Sequence, residues 1–127
     1  MDNKTIISTS NAPAPIGPYS QAVKAGQTLY ISGQIALDPV TNQLELSDIS
    51  SETTMVMNNI GAILEAADLS FSHVVKCSIF ISNMDHFAAV NEIYGQFFDE
   101  NPPARETVEV SRLPKNVNVE ISCIACL

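Results

Sequence analysis

Arg105 and Glu120 are the side chains of this 127-residue chain best suited to chemistry on a small organic acid. Arg105 opens the segment RETVEVS, in which polar and apolar residues alternate as in a β-strand. A planar guanidinium can hold a carboxylate through two parallel hydrogen bonds. A surface ion pair with Glu106 or Glu109 is the alternative use of this arginine, and the local sequence does not separate the two.

Glu120 lies between Val119 and Ile121 in a segment otherwise rich in apolar residues. Apolar surroundings raise the pKa of a carboxyl group and suit it to act as a general acid or base. A solvent-facing place on a half-exposed strand is the alternative. Whether Glu120 and Arg105 share a sheet face depends on the strand register, because a slip of one residue reverses the side on which a side chain lies.

Further polar or small residues lie where they can line a ligand pocket. Tyr19 in GPYS and Ser32 in YISGQ carry hydroxyls that can bind a ligand, and Gly33 permits close approach of the backbone. Turn formation and strand packing are the alternatives for these three residues. Asn91 lies beside an apolar helix stripe, where capping or core hydrogen bonding competes with ligand contact.

The cysteines and histidines form no pattern typical of a metal or thiol site. Cys123 and Cys126 have CxxC spacing, but they lie in a strand-like run where positions three apart point to opposite faces. We therefore expect reduced cysteines that are mostly buried. His73 and His86 are far from these cysteines and lie in no nucleophile motif, so neither a metal-ligand set nor a catalytic triad is predicted.

Composition favours a compact globular protein without a nucleic acid partner. Hydrophobic residues make up 46% of the chain, and six basic residues oppose fourteen acidic ones for a net charge of -8. This charge repels phosphate. The N-terminal segment lacks the features of a signal peptide, and no apolar run is long enough for a membrane span. We therefore expect a cytoplasmic protein without membrane contact.

Hydrophobic periodicity predicts the strands that would position these residues. The segment QAVKAGQTLYISGQIAL indicates two strands joined at Ala25 and Gly26, and HVVKCSIFIS indicates a strand largely covered on both faces. Two final strands, RETVEVS and NVEISCIAC, flank RLPKNV. The last of them alternates apolar and polar residues, which is typical of a sheet with one face in the core.

Two helices are predicted between these strands. SETTMVMNNIGAILEAAD indicates a helix with Ser50 or Ser51 as its N-cap. Its apolar positions form one stripe: Val56, Ile60, Ile63, Leu64 and Ala67. HFAAVNEIYGQFF shows the same period, with an apolar side made of Phe87, Val90, Tyr94, Phe97 and Phe98.

The predicted element order is ββαβαββ, which favours an α+β fold with both helices on one face of a sheet. The other sheet face is then solvated or meets another subunit. No internal repeat, low-complexity tract or linker interrupts the chain, so one domain is expected over residues 1–127.

Six segments of the chain also follow one another in a recognisable order. They are IGPYSQAV, YISGQIALDP, NNIGAILEAA, VVKCSIFISNMDHFAAVNEIYGQFF, PPARETVEVSRLP and VEISCIA, the first beginning directly after Pro15 and the last ending at Ala125. In this order and spacing they resemble the RidA/YjgF family of enamine/imine deaminases. Each motif alone is weak, but the six together are specific.

This resemblance implies a chorismate-mutase-like fold with a mixed sheet, in a homotrimer with a barrel-like core and active sites between subunits. It implies a 2-iminobutanoate/2-iminopropanoate deaminase. Such an enzyme hydrolyses 2-imino and enamino acids, for example 2-aminoacrylate from pyridoxal-phosphate dehydratases, to 2-keto acids and ammonia. The resemblance implies that the protein itself needs no metal and no organic cofactor.

The resemblance also implies roles for individual residues. Arg105 of the PAR motif matches the arginine that binds the substrate carboxylate, and Glu120 of the VEI motif matches the glutamate that positions the attacking water. Tyr19, Ser32 and Gly33 match the pocket motifs GPYS and SGQ.

Other positions match the family less closely. Phe87 and Asn91 fall in the helix that helps to form the cleft, and Thr107 stands where many members have cysteine. Asp68 stands where a glycine commonly ends the first helix, and Glu52 where glutamine is frequent. These departures leave both the arginine and the glutamate in place.

Two other functions are compatible with this resemblance. An endoribonuclease of the L-PSP type that inhibits translation is opposed by the sparse basic residues and by the lack of a catalytic histidine pair. A non-catalytic module that binds a small carboxylate and regulates would use the same arginine.

Overall fold

A six-stranded sheet is the central element of the computed structural model, which describes residues 4–127. The elements in chain order are β1 (Lys4–Ile7), β2 (Ala22–Ala25), β3 (Thr28–Gln34), α1 (Ile49–Ala66), β4 (Val74–Ile81), α2 (Phe87–Gly95), β5 (Ala104–Glu109) and β6 (Val119–Cys126). The strand order across the sheet is β1-β2-β3-β6-β4-β5. Strands β4 and β5 are parallel, and the other neighbours are antiparallel. The predicted α+β fold with a mixed sheet is confirmed.

Strand β1 is absent from the predicted order ββαβαββ, so that order was one strand short. Its sequence KTII is too short to show alternation, and its side chains are mostly exposed. Backbone pairing with β2, from Lys4 opposite Ala25 to Ile7 opposite Ala22, places it at the sheet edge. Residues 1–3 lie outside the described part, so the single domain over 1–127 stays a prediction.

Helix α1 begins earlier than predicted. The expectation that Ser50 or Ser51 caps it is wrong, because the Asp48 side chain is the cap and accepts a 2.7 Å hydrogen bond from the Ser51 N–H. The predicted apolar stripe is buried from Val56 to Leu64. After the helix, Asp68 adopts a φ of 60°, the left-handed conformation for which glycine is the usual residue.

Helix α2 ends at Gly95, so Phe97 and Phe98 lie beyond the helix on which they were expected. Both rings still pack inward. Phe71 contacts the two rings at centroid distances of 5.2 and 5.6 Å, and Tyr94 lies 4.8 Å from Phe98. This aromatic cluster joins the end of α2 to the segment that follows α1.

The two helices cover one face of the sheet and leave the other face open. Along β6 the helix-side residues are buried, as the alternation predicts, whereas Glu120, Ser122 and Ile124 on the open face are half-buried. Strand β4 shows the same contrast: its helix-side residues are buried and its open-face residues are mostly half-buried, so the prediction that it is largely covered on both faces holds for the helix side only. No helix within residues 4–127 is long and apolar enough to cross a membrane.

Candidate active site

The Arg105 side chain packs against one side of helix α2. Its Nη1 donates a 2.6 Å hydrogen bond to Asn91 Oδ1. Its Cζ lies 5.7 Å from the Phe87 ring centre and 5.0 Å from the Tyr94 ring centre. Positions 87, 91 and 94 have the spacing of one helix face. Helix α2 therefore orients the guanidinium through neutral groups.

The alternative of an ion pair between Arg105 and a neighbouring glutamate is not realised. Glu106 forms its ion pair with Lys76, at 3.0 Å, and Glu109 accepts a hydrogen bond from the Met84 N–H at 2.7 Å. Among residues 4–127 the Arg105 guanidinium forms no ion pair with a carboxylate. Its remaining donors are available to a ligand.

Two hydroxyls near Arg105 are buried without a hydrogen-bond partner in the described part of the chain. They are Oη of Tyr94, whose ring lies beneath the guanidinium, and Oγ1 of Thr107, two residues beyond Arg105 on the same face of β5. Burial, followed by the neighbouring Cys77 thiol, raises the pKa of Tyr94, so its hydroxyl stays protonated; the contact with this thiol lacks hydrogen-bond geometry. A buried hydroxyl without a partner is costly, and a ligand or water atom would satisfy it.

Two cysteines lie behind this cluster as direct partners across β4 and β6. Cys77 and Cys123 are both buried, as expected. Cys126 is exposed at the last position of β6, so the expectation of burial is wrong for this cysteine. A hydrogen bond from the Cys123 thiol lowers the pKa of Cys77, and the same contact raises the pKa of Cys123. No group of three or more His, Cys, Asp or Glu residues within 4–127 is placed to hold a metal ion.

Glu120 projects from β6 onto the open face of the sheet. Partial burial raises the pKa of its carboxyl above the ordinary value of 4.5. A cavity of about 340 Å³ opens beside it. The lining residues are Ile16, Tyr19, Ser32, Gly33, Ile35, Pro114 and Glu120. Four predicted site residues, Tyr19, Ser32, Gly33 and Glu120, therefore share one cavity.

A bulge in β3 brings Ser32 and Gly33 to this cavity. The register between β3 and β6 shifts between Ile31 and Gln34. A Cβ on Gly33 would lie only 2.8 Å from Glu120 Cδ, so the carboxylate occupies the space that any larger residue needs. Ser32 Oγ donates to the Ser20 carbonyl at 2.6 Å and keeps its lone pairs for another donor.

Arg105 and Glu120 lie on opposite faces of the sheet within one chain. Arg105 pairs across the sheet with Cys77 of β4, whereas Glu120 pairs with Phe80. These positions of β4 differ by three residues, so their side chains point to opposite sides and lie about 10 Å apart along the strand. The structure thus contains two separate groups. The first, the arginine half-site, comprises Arg105, Phe87, Asn91, Tyr94 and Thr107. The second, the glutamate half-site, comprises the residues lining the cavity.

Sequence reasoning missed several members of these half-sites. Tyr94 was expected only in the apolar stripe of α2; the available signal was its spacing of three residues from Asn91, which puts both side chains on one helix face. Ile16, Ile35 and Pro114 carry no local signal, because they reach the cavity from separate loops.

Comparison with known proteins identifies the family of this chain. The family model described as Endoribonuclease L-PSP matches residues 9–127. The chain belongs to this family. The predicted RidA/YjgF resemblance is thereby confirmed.

Relatives in the L-PSP family are similar along nearly the whole chain. A RutC family protein of Pyrococcus horikoshii is 52% identical over 122 residues, which cover 96% of this chain and 97% of the relative. A 2-iminobutanoate/2-iminopropanoate deaminase of Capra hircus is 46% identical over 122 residues, covering 96% and 89%. The crystal structure of E. coli TdcF with bound serine is 41% identical, with a TM-score of 0.93 and coverage of 97% and 98%. Membership in a family that includes hydrolytic deaminases and a small-molecule-binding protein follows.

Proposed function

We propose that this protein hydrolyses 2-imino and enamino acids to 2-keto acids and ammonia, as a 2-iminobutanoate/2-iminopropanoate deaminase. The observation that carries the proposal is the state of Arg105. Its guanidinium is oriented by Asn91 and two aromatic rings, and it pairs with no carboxylate within residues 4–127. A guanidinium with a fixed orientation and unpaired N–H donors suits the carboxylate that every 2-imino acid carries.

The proposed active site is shared between two copies of the chain in a homotrimer. The carboxylate and the imine carbon of a 2-imino acid are bonded neighbours, whereas Arg105 and Glu120 of one chain lie on opposite sheet faces. One small substrate therefore meets both side chains only if a second copy supplies one of them. The open sheet face supports such packing, since it exposes Tyr30 and Val108 at 50% and 42%.

The chemical roles follow from this arrangement. Arg105 binds the carboxylate of the substrate and orients its C=N carbon. Glu120 takes a proton from the water that attacks this carbon and passes it to the nitrogen, which gives a carbinolamine. Glu120 then transfers the hydroxyl proton of the carbinolamine to the same nitrogen as the C–N bond breaks, so that C=NH and H₂O become C=O and NH₃. The raised pKa of Glu120 suits a group that both accepts and releases a proton. The reaction requires no cofactor.

The cavity beside Glu120 indicates which substrate side chains are accepted. Its walls include Ile16, Ile35, Pro114 and the exposed ring of Tyr19. Apolar side chains gain from burial against such walls, whereas an acidic side chain would meet the Glu120 carboxylate. We therefore propose small and medium apolar 2-imino acids as substrates.

A coupled assay tests the proposed activity. A threonine or serine dehydratase generates the imine, semicarbazide competes for it, and the formation of keto acid is followed with and without this protein. We expect faster hydrolysis with the wild type, no acceleration with Arg105→Ala, and an unchanged rate with the control Arg112→Ala. An unaccelerated reaction with folded wild-type protein would refute the deaminase function.

Complementation tests the shared site. Arg105→Ala and Glu120→Ala are each expected to be inactive. When the two variants are mixed and their subunits exchange, about a quarter of the sites receive both intact side chains, so about a quarter of the wild-type activity should return. Persistent inactivity of the mixed oligomers would contradict the shared site.

Binding without catalysis is the second candidate, because the TdcF structure holds serine, which also carries a carboxylate. In that case calorimetry would detect serine binding that Arg105→Ala abolishes, while the dehydratase assay shows no acceleration. Cleavage of RNA, which the family description suggests, is opposed by a net charge of -8.

A further inference from the structure

Glu52 is a buried carboxylate that the proposed reaction does not use. It lies in the first turn of α1 and is completely buried. Burial of a charged or acidic side chain is costly unless hydrogen bonds satisfy it. Its hydrogen bonds therefore indicate what it does in the fold.

The Glu52 carboxylate holds the chain where it enters β6. Oε2 accepts hydrogen bonds from the Asn118 N–H at 2.7 Å and the Val119 N–H at 3.1 Å. Oε1 accepts a 2.8 Å hydrogen bond from the Asn118 side-chain amide. Strand β3 pairs with β6 only as far as Gln34 opposite Ile121. The side chain of Glu52 therefore binds backbone N–H groups of residues that precede the last residue of β6 paired with β3.

The segment held by Glu52 lies between two residues that line the cavity, Pro114 and Glu120. Lys115 and Asn116, between them, both adopt left-handed backbone conformations, with φ of 56° and 57°. Residues other than glycine adopt such conformations rarely, and two in succession need support from the surrounding structure. The turn is closed by hydrogen bonds from the Asn116 N–H to the Leu113 carbonyl and from the Val117 N–H to the Pro114 carbonyl. The contacts of Glu52 with Asn118 and Val119 then fix the chain between this turn and Glu120.

We propose that Glu52 is a positioning residue for the glutamate half-site: by fixing Asn118 and Val119 it sets where Glu120 and Pro114 stand in the cavity. The catalytic consequence rests on the proposed deaminase function. Glu52 lies on the helix side of the sheet and does not line the cavity, so it acts without touching substrate.

Two substitutions separate positioning from simple stability. Glu52→Leu removes all the acceptors, and we expect kcat to fall at least about tenfold, because displacements of the order of 1 Å have such effects on catalysis. The KM is expected to change less than kcat, since Arg105 is untouched and Pro114 is only one of the cavity walls. Glu52→Gln keeps an oxygen for the two N–H groups, and its amide can donate to Asn118 once that side chain turns. This variant should therefore retain most of the wild-type kcat.

A matched control replaces another fully buried residue of α1, Ile63, by alanine. Ile63→Ala should lower the melting temperature without lowering the kcat of the folded protein. The same loss of kcat in Ile63→Ala, or a folded Glu52→Leu variant with the wild-type kcat, would overturn the positioning role. If Glu52→Leu does not fold, Glu52→Asp is used instead, because its side chain is one methylene shorter and moves the carboxylate away from Asn118 and Val119. An unchanged kcat in Glu52→Asp would also overturn the positioning role.

A crystal structure of Glu52→Leu, or of Glu52→Asp if only that variant folds, tests the positioning role without an activity measurement. The Glu120 carboxylate and Pro114 should be displaced relative to the wild type, and an unmoved Glu120 would overturn the inference. If the wild-type protein accelerates no imine hydrolysis, the deaminase proposal fails, and this displacement still decides whether Glu52 positions Glu120.

Discussion

Gly33→Ala is the sharpest test of the role assigned to Glu120, because it moves the carboxylate without removing it. A Cβ at position 33 would lie 2.8 Å from Glu120 Cδ and 3.1 Å from Cγ. Ordinary contact between carbon atoms is about 3.5–4.0 Å, so the carboxyl group must retreat by about 1 Å. The Glu120 side chain is flexible and borders a cavity, so it can yield while the backbone stays in place.

The expected magnitude follows from this displacement. A shift of about 1 Å in a catalytic group lowers the rate by about 100-fold, whereas overpacking at a site that can yield destabilises the fold by about 1 kcal/mol. Gly33→Ala should thus lose most of its kcat in the dehydratase-coupled assay while its melting temperature falls only slightly. Gly95→Ala is the matched control, because a Cβ there meets nothing within 4 Å. A folded Gly33→Ala variant with at least half of the wild-type kcat would refute the assignment of Glu120.

Three further predictions concern the two half-sites. Burial raises the pKa of the Glu120 carboxyl above 4.5, so between 4.5 and the raised value the native state binds more protons than the unfolded state. The stability that protonated Glu120 contributes is therefore complete below pH 4.5 and is lost as the pH rises through this window. Glu120→Gln should remove this loss in melting curves recorded across pH, and a parallel pH dependence of both proteins would contradict it. Thr107→Val removes a buried hydroxyl that has no hydrogen-bond partner in the described residues, and it should stabilise the fold by about 1 kcal/mol. If this hydroxyl also binds the substrate, kcat/KM falls in the variant. A lower melting temperature would show that the hydroxyl has a hydrogen-bond partner in the folded protein. Tyr94→Leu removes the ring beneath Arg105 and should raise KM by about tenfold, whereas Tyr94→Phe keeps the ring and should keep the wild-type KM; equal KM values for all three proteins would remove Tyr94 from the site.

Hydrophobic periodicity predicted helices and strands well where the pattern extends over many residues and one side of the element packs in the core. The α1 stripe from Val56 to Leu64 and the alternation of β6 repeat over many residues and are buried accordingly. The failures concern short or competing signals. KTII has too few residues to show alternation, and Asp48 competes with two serines that are equally good N-caps.

The faces of Arg105 and Glu120 could not be predicted, because period-two alternation carries no information across a connecting loop. The segment between β5 and β6 contains two left-handed residues, Lys115 and Asn116, that no pattern reveals. Pairing of both strands with β4 determines the faces. Local chemistry already made Arg105 and Glu120 candidates, and the family motifs turned them into expected site residues and added Phe87 and Thr107. The separation of the two half-sites follows only from the three-dimensional register.

The opposite placement of Arg105 and Glu120 has a consequence for how activity depends on protein concentration. If the site is shared as proposed, an isolated subunit carries Arg105 on one face of its sheet and Glu120 on the other, and it has no complete active site and no activity. Turnover per subunit would then decline on dilution along the dissociation curve of the oligomer, and a substitution on the open sheet face far from either half-site would lower activity by weakening assembly. Enzyme kinetics would in this way report the subunit association equilibrium.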